Sequence, residues 1–147
     1  MHILIKNSQI VNENSIVQGD VLIYNNRIER IAPNLSVNYR VHEIDAEGLT
    51  LFPGLIDDQV HFREPGLTHK GCIASESKSA VAGGVTSYME MPNTNPATTT
   101  QYNLQHKYHI AQEQSMANYA FYIGGSNNNL EEVLKTDLNL CCGLKLF

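Results

Sequence analysis

Apolar and polar positions change rhythm near residue 50. Before it, His2-Ile3-Leu4-Ile5-Lys6 and Gln9-Ile10-Val11 lead to Gly19-Asp20-Val21-Leu22-Ile23-Tyr24. Arg27-Ile28-Glu29-Arg30-Ile31 then alternates polar and apolar. Alternation of this kind marks strands with one covered face. Asn25-Asn26 separates the last two runs, and asparagine tolerates the positive φ of a tight hairpin turn. Residues 1–50 read as a small antiparallel β domain with no evident chemistry.

Longer units begin at about residue 51. A first strand runs from Thr50 to about His61 and leaves an apolar stretch for a polar one. Ile73, Ser77, Ala80, Val81 and Gly84 recur at helical spacing, and Gly83-Gly84 closes that helix as a C-terminal cap. A second strand, Val85 to Met91, stops at Pro92. A second helix over residues 101–116 carries Leu104, Tyr108, Ala111 and Ser115 on one stripe. Tyr119 to Ile123 is a third strand, ended by Gly124-Gly125. A short helix follows around Leu130 to Leu134, and a fourth strand spans Leu140 to Phe147. Strands alternating with helices predict parallel βα units. Four in a row fit a doubly wound sheet or the first half of a (β/α)₈ barrel. The dinucleotide reading is weakened, because no glycine-rich phosphate loop follows the first strand.

Composition narrows the field only a little. The chain has 147 residues, 42% hydrophobic and 17% charged, which is ordinary globular usage. A formal net charge of −5 without any basic run argues against nucleic-acid binding. No signal peptide and no apolar run of membrane-spanning length is visible, so a cytoplasmic location is expected. Of the three cysteines, Cys141 and Cys142 are neighbours. Neighbours on a strand point to opposite faces, so these two are not expected to pair.

The chemistry concentrates at strand ends. Asp57-Asp58-Gln59-Val60-His61-Phe62-Arg63 closes the first strand. Period-two alternation would put Asp57, Gln59, His61 and Arg63 on one face. A carboxylate, an imidazole and a guanidinium there suggest an anion, a metal, or both. His61 is a candidate metal ligand, since neutral imidazole is a good donor to zinc and similar ions. A lone strand histidine can equally satisfy a hydrogen bond in a polar core. Lys145 lies inside the apolar run Gly143-Leu144-Lys145-Leu146-Phe147. Burying an ammonium is costly, and burial favours the free amine. A free amine can combine with carbon dioxide to give a carbamate, an anionic oxygen ligand able to bridge two cations. The plainer alternative is a lysine whose stem packs while its head reaches water. Arg63 and Asn93 form a possible clamp, because the guanidinium fork suits a carboxylate. Asn93 lies between two prolines in Met91-Pro92-Asn93-Thr94-Asn95-Pro96, where it could also serve only as a turn or cap residue. His106 and His109, spaced i, i+3, read as a solvated helix face.

At these residues the sequence resembles the dihydroorotases of the amidohydrolase superfamily. The shared stretches are Pro53-Gly54-Leu55-Ile56-Asp57, Val60-His61-Phe62-Arg63-Glu64-Pro65-Gly66, Ala82-Gly83-Gly84-Val85-Thr86, Met91-Pro92-Asn93-Thr94-Asn95-Pro96 and Gly143-Leu144-Lys145-Leu146-Phe147. They occur in family order and cover most of residues 50–147. The resemblance implies an α/β fold: the first half of a (β/α)₈ TIM-type barrel at 51–147, after a small antiparallel β sandwich domain at 1–50. It implies reversible hydrolysis of a cyclic amide, dihydroorotate, to N-carbamoyl-aspartate in pyrimidine biosynthesis. It further implies one or two divalent ions, usually zinc. His61 would be a ligand, Lys145 a CO2-derived carbamate bridging the metals, and Arg63 and Asn93 the holders of the substrate carboxylate. That pairing favours dihydroorotase over allantoinases and hydantoinases, whose substrates lack this carboxylate. A homo-oligomer and an association with aspartate transcarbamoylase are also expected.

Two departures qualify the resemblance. The family strand usually carries His-x-His, and here the first position is Gln59, an amide and a poorer zinc ligand. Asp57 is a candidate to compensate. The sequence also ends two residues after Lys145, whereas a (β/α)₈ barrel takes roughly 250 residues. The chain is therefore expected to be the N-terminal part of a longer enzyme and inactive alone. A catalytically silent scaffold is the reading from another class that Gln59 keeps open.

Overall fold

The computed structural model describes residues 1–146. They form two compact units, Met1–Pro53 and the residues from Gly54 onward.

The first unit contains β1 (His2–Asn12), β2 (Ser15–Tyr24), β3 (Arg27–Ala32), β4 (His42–Asp45) and β5 (Thr50–Leu51). β1, β2 and β3 are antiparallel neighbours. Asn25 and Asn26 adopt φ of 47° and 62°, the left-handed pair of a hairpin turn whose twist matches its strands. The two short runs expected over residues 2–11 are one strand. A register shift between Ile5 and Ser8, with Asn7 at φ 59°, lets it bend without ending. The antiparallel expectation needs correction at β4 and β5, which both pair with β1 in parallel. The sheet is therefore mixed, and the five strands of this unit form one sheet. Leu4, Leu22 and Leu35 make its core.

Asp20 is the buried charge of this unit, 1% exposed. Its carboxylate accepts the Asn7 and Leu35 backbone N–H groups, both at 2.8 Å, with Lys6 Nζ at 3.7 Å. Burial alone would raise its pKa. The two N–H groups and the lysine outweigh that and hold it below 3.8. Asp20→Ala is expected to cost about 2–4 kcal/mol in chemical denaturation, because two N–H donors lose their acceptor. The wild-type contribution is fully present above pH 3.8 and fades as pH falls through the lower folded value.

The second unit contains β6 (Leu55–Val60), α1 (Ile73–Ala82), β7 (Val85–Glu90), α2 (Gln101–Gln114), β8 (Asn118–Gly125), α3 (Leu130–Leu134) and β9 (Gly143–Leu146). All neighbouring strands are parallel, in the order β6-β7-β8-β9. A doubly wound sheet reverses its strand order at a switch point, and this one does not. Right-handed crossovers that always step the same way put every helix on one face. The core agrees: Ile73 of α1 and Leu104 and Ala111 of α2 pack with Tyr88 and Phe121 of the sheet. This is the strand order of a half-barrel.

The first strand is shorter than its sequence pattern. Pro53 cannot donate to a ladder, so β5 and β6 are separate pieces. Gly54 follows, packed so close to the Thr86 side chain that a Cβ would collide with it. The fourth strand begins at Gly143 rather than Leu140, and Phe147 lies outside the described residues. β6 and β9 are the sheet edges. Leu55, Ile56, Leu144 and Leu146 on them are 59%, 66%, 48% and 70% exposed, apolar edges of the kind proteins normally cover. No helix among the described residues is long and apolar enough to cross a membrane.

Candidate active site

The C-terminal ends of β6 and β7 bring three of the sequence-derived residues together. Val60 and Phe62 pack into the helix-side core, so His61 between them turns to the other face. Its Nδ1 lies 2.9 Å from Asn93 Oδ1. A carbonyl oxygen only accepts, so Nδ1 is the donor in this contact, and in the neutral ring that tautomer leaves the Nε2 lone pair free. Arg63 Nη1 donates to the Asn93 backbone oxygen at 3.5 Å. Asn93 thus touches both the imidazole and the guanidinium. Its loop is held by Thr94 and Thr98, buried hydroxyls 3.0 Å apart, and by Thr98 N–H to Pro92 O. Gly66 packs against the Asn95 carbonyl at φ 84°, where a Cβ would have no room.

The shared face expected for Asp57, Gln59, His61 and Arg63 does not survive intact. The pairing of β6 with β7 is irregular between Asp57 and Val60. Within the strand, Asp57 Oδ1 accepts the Gln59 backbone N–H at 3.1 Å, and the register shift interrupts strict alternation. Arg63 lies beyond the strand at φ 71°. Asp57 and Gln59 are both exposed, and no hydrogen bond links their side chains to His61, Arg63 or Asn93 among the described residues.

Lys145 is half-buried on β9, opposite Gly124 of β8. A Cβ on Gly125 would meet Leu144 and Leu146, whereas one on Gly143 would meet the Tyr122 ring. Lys145 therefore shares the Tyr122 face, away from Phe121 and the helices. That is also the face of His61. Two strands stand between them, so a flat sheet would separate them by roughly 14 Å. Only curvature of the sheet can bring both to one ion.

Sequence reasoning missed the two charges beneath this site. Glu90, at the end of β7, and Lys107, in the middle of α2, are both 0% exposed. Lys107 Nζ lies 2.7 Å from Glu90 Oε2, an ionic contact outside hydrogen-bond alignment. Its aligned bond goes to Met91 O at 3.1 Å, and the Phe121 ring lies 4.7 Å away. Glu90 Oε1 accepts the Arg63 backbone N–H at 3.0 Å. Burial pushes the Glu90 carboxyl up and the Lys107 ammonium down, and each partner opposes the other's shift. A signal was present: a charge of each sign stood on the apolar faces of facing elements.

The cysteines and helix histidines stay outside the site. All three cysteines are free thiols, and burial pushes Cys142 up to about 11, unlike a reactive thiolate. His109 faces Glu113 at 3.6 Å on an exposed helix surface.

Among the described residues no three His, Cys, Asp or Glu side chains gather as a metal site. His61 fits a ligand's role, because Asn93 orients its ring and leaves Nε2 available. Lys145 would add an oxygen donor if carboxylated. That set is short of the three protein ligands usual for catalytic zinc, so the described residues alone do not assemble a complete metal site.

The family described as dihydro-orotase-like matches residues 48–136. The chain belongs to that family. A dihydroorotase of Lactococcus lactis is 45% identical over 118 residues, which are 79% of this chain and 28% of that protein. An allantoinase of Solibacter usitatus is 36% identical over 145 residues, 98% of this chain and 31% of that protein. Among solved structures, the L-hydantoinase (dihydropyrimidinase) of Arthrobacter aurescens matches with a TM-score of 0.90 and 31% identity. That match covers 97% of this chain and 32% of the other. The chain thus spans less than a third of each of these dihydro-orotase-like relatives.

Proposed function

We propose that the chain is the N-terminal part of a metal-dependent cyclic amidohydrolase, a dihydroorotase interconverting dihydroorotate and N-carbamoyl-aspartate in pyrimidine biosynthesis. The observation that carries this reading is the contact of Arg63 and His61 with one asparagine at the strand ends. A guanidinium beside a side-chain amide suits a substrate carboxylate. Arg63 supplies the charge, and Asn93 supplies orientation through its amide. Asn93 also holds the His61 ring with Nε2 available to a metal. A bound divalent ion such as zinc would activate water and polarise the scissile amide. Its remaining ligands, and the general acid and base, would come from parts of the protein outside these residues. Gln59 in place of a second imidazole favours a single metal or one weakened site.

Two outcomes test this in the full-length protein. Turnover of dihydroorotate well above that of allantoin or a hydantoin supports the dihydroorotase reading. Preference for allantoin supports the second reading, favoured by the allantoinase match along nearly the whole chain. Arg63→Ala is expected to raise KM for dihydroorotate about 10- to 100-fold, the scale of one lost charge-assisted contact. An unchanged KM would remove Arg63 from the binding site.

A further inference from the structure

Glu90 and Lys107 are the buried charges of the second unit, and the roles proposed for Arg63, Asn93 and His61 leave them unused. Stability alone does not explain such a pair, since apolar groups of similar volume commonly serve as well. What an apolar pair cannot do is accept a hydrogen bond. Glu90 Oε1 accepts one from the backbone of Arg63 at 3.0 Å, where Arg63 holds φ of 71°. That conformation is costly for a residue with a side chain and persists only where its surroundings fix it. Three bonds do so. The N–H goes to Glu90, the carbonyl accepts Leu67 N–H at 3.1 Å, and the guanidinium reaches Asn93 O. Lys107 in turn braces Glu90 and the Met91 carbonyl, while Met91 N–H bonds Val60 O at 3.0 Å. The ends of β6 and β7 and the middle of α2 are thus tied around one backbone amide.

We infer that Glu90, braced by Lys107, is a positioning residue that sets the Arg63 backbone and so aims its guanidinium at the anionic group of the substrate. The inference rests on the reading of Arg63 as the anion-binding residue. Pre-setting the arginine removes an ordering cost from binding. The effect therefore falls on substrate affinity more than on turnover.

The test compares two double variants and Arg63→Ala in the full-length protein. E90Q/K107M keeps an acceptor for the Arg63 N–H, and E90M/K107M keeps volume but removes it. KM for dihydroorotate is expected to stay within about twofold in E90Q/K107M and rise about tenfold in E90M/K107M, with kcat within about threefold in both. Equal KM in the two overturns the positioning role while leaving Arg63 as a binding residue. An Arg63→Ala variant with unchanged KM overturns both readings together. If E90M/K107M does not fold, exchange of the Arg63 amide in the unmodified protein decides. Protection about 100-fold or more above a free loop amide supports the role, and exchange at the loop rate overturns it.

Discussion

Lys107→Met alone is expected to destabilise the second unit by about 3–5 kcal/mol, the scale of a buried ion pair that loses one partner. The variant strands the Glu90 carboxylate, 0% exposed, with the Arg63 N–H as its remaining partner among the described residues. E90Q/K107M removes both charges and is expected to stay within about 1.5 kcal/mol of the wild type. The contrast between single and double replacement is the diagnostic, since lost packing alone would make the double variant worse. The defect also has a sign in pH. Burial raises the folded Glu90 pKa above its ordinary 4.5, and losing Lys107 removes the strongest opposing influence. The folded state then binds the proton that the unfolded state releases. The Glu90 contribution to the stability of Lys107→Met is therefore fully present below pH 4.5 and is lost as pH rises through the raised folded value. Denaturant midpoints at about pH 5 and pH 8 check this, and a variant equally stable at both would refute the stranded carboxylate.

The same pair shows where sequence reading reached its limit. The strand and helix rhythm was legible because period-two and helical stripes report burial directly. The Asn25-Asn26 turn and the helices at 73, 101 and 130 lie where their local chemistry puts them. Lys107 sits on the same α2 stripe as Leu104 and Ala111, yet a lysine reads as solvated until its counter-charge is known. Its counter-charge, Glu90, is 17 residues away, and only the βα crossover brings them together. Parallel pairing of β4 with β1 was hidden for a related reason. Four residues such as His42–Asp45, all exposed, carry no alternation to read. Within the candidate site, residue types were legible and their arrangement was not. Nothing in Asp57-Asp58-Gln59 reveals the register shift of β6 against β7 at these residues.

Lys145→Ala in the full-length protein is expected to lower kcat/KM by about a thousandfold or more, the scale of losing an activated nucleophile. Lys145 stands on the face of Tyr122, between Leu144 and Leu146, which turn to the opposite side. It is half-buried, and no hydrogen bond or ion pair holds its amine among the described residues. A lysine that merely reached for water from this position would tolerate replacement at little cost. A lysine acting as a carbamate would not. Its amine forms a bond to the carbon of CO2 and releases a proton, which turns a cationic side chain into an anionic oxygen donor. The two roles differ in their response to carbon dioxide. If Lys145 is carboxylated, protein prepared free of CO2 has low activity and low divalent-metal content, and bicarbonate restores both. Lys145→Ala remains low in both whatever the bicarbonate. Full activity of the alanine variant would assign Lys145 to the solvated role and leave His61 as the one metal ligand candidate that this chain positions.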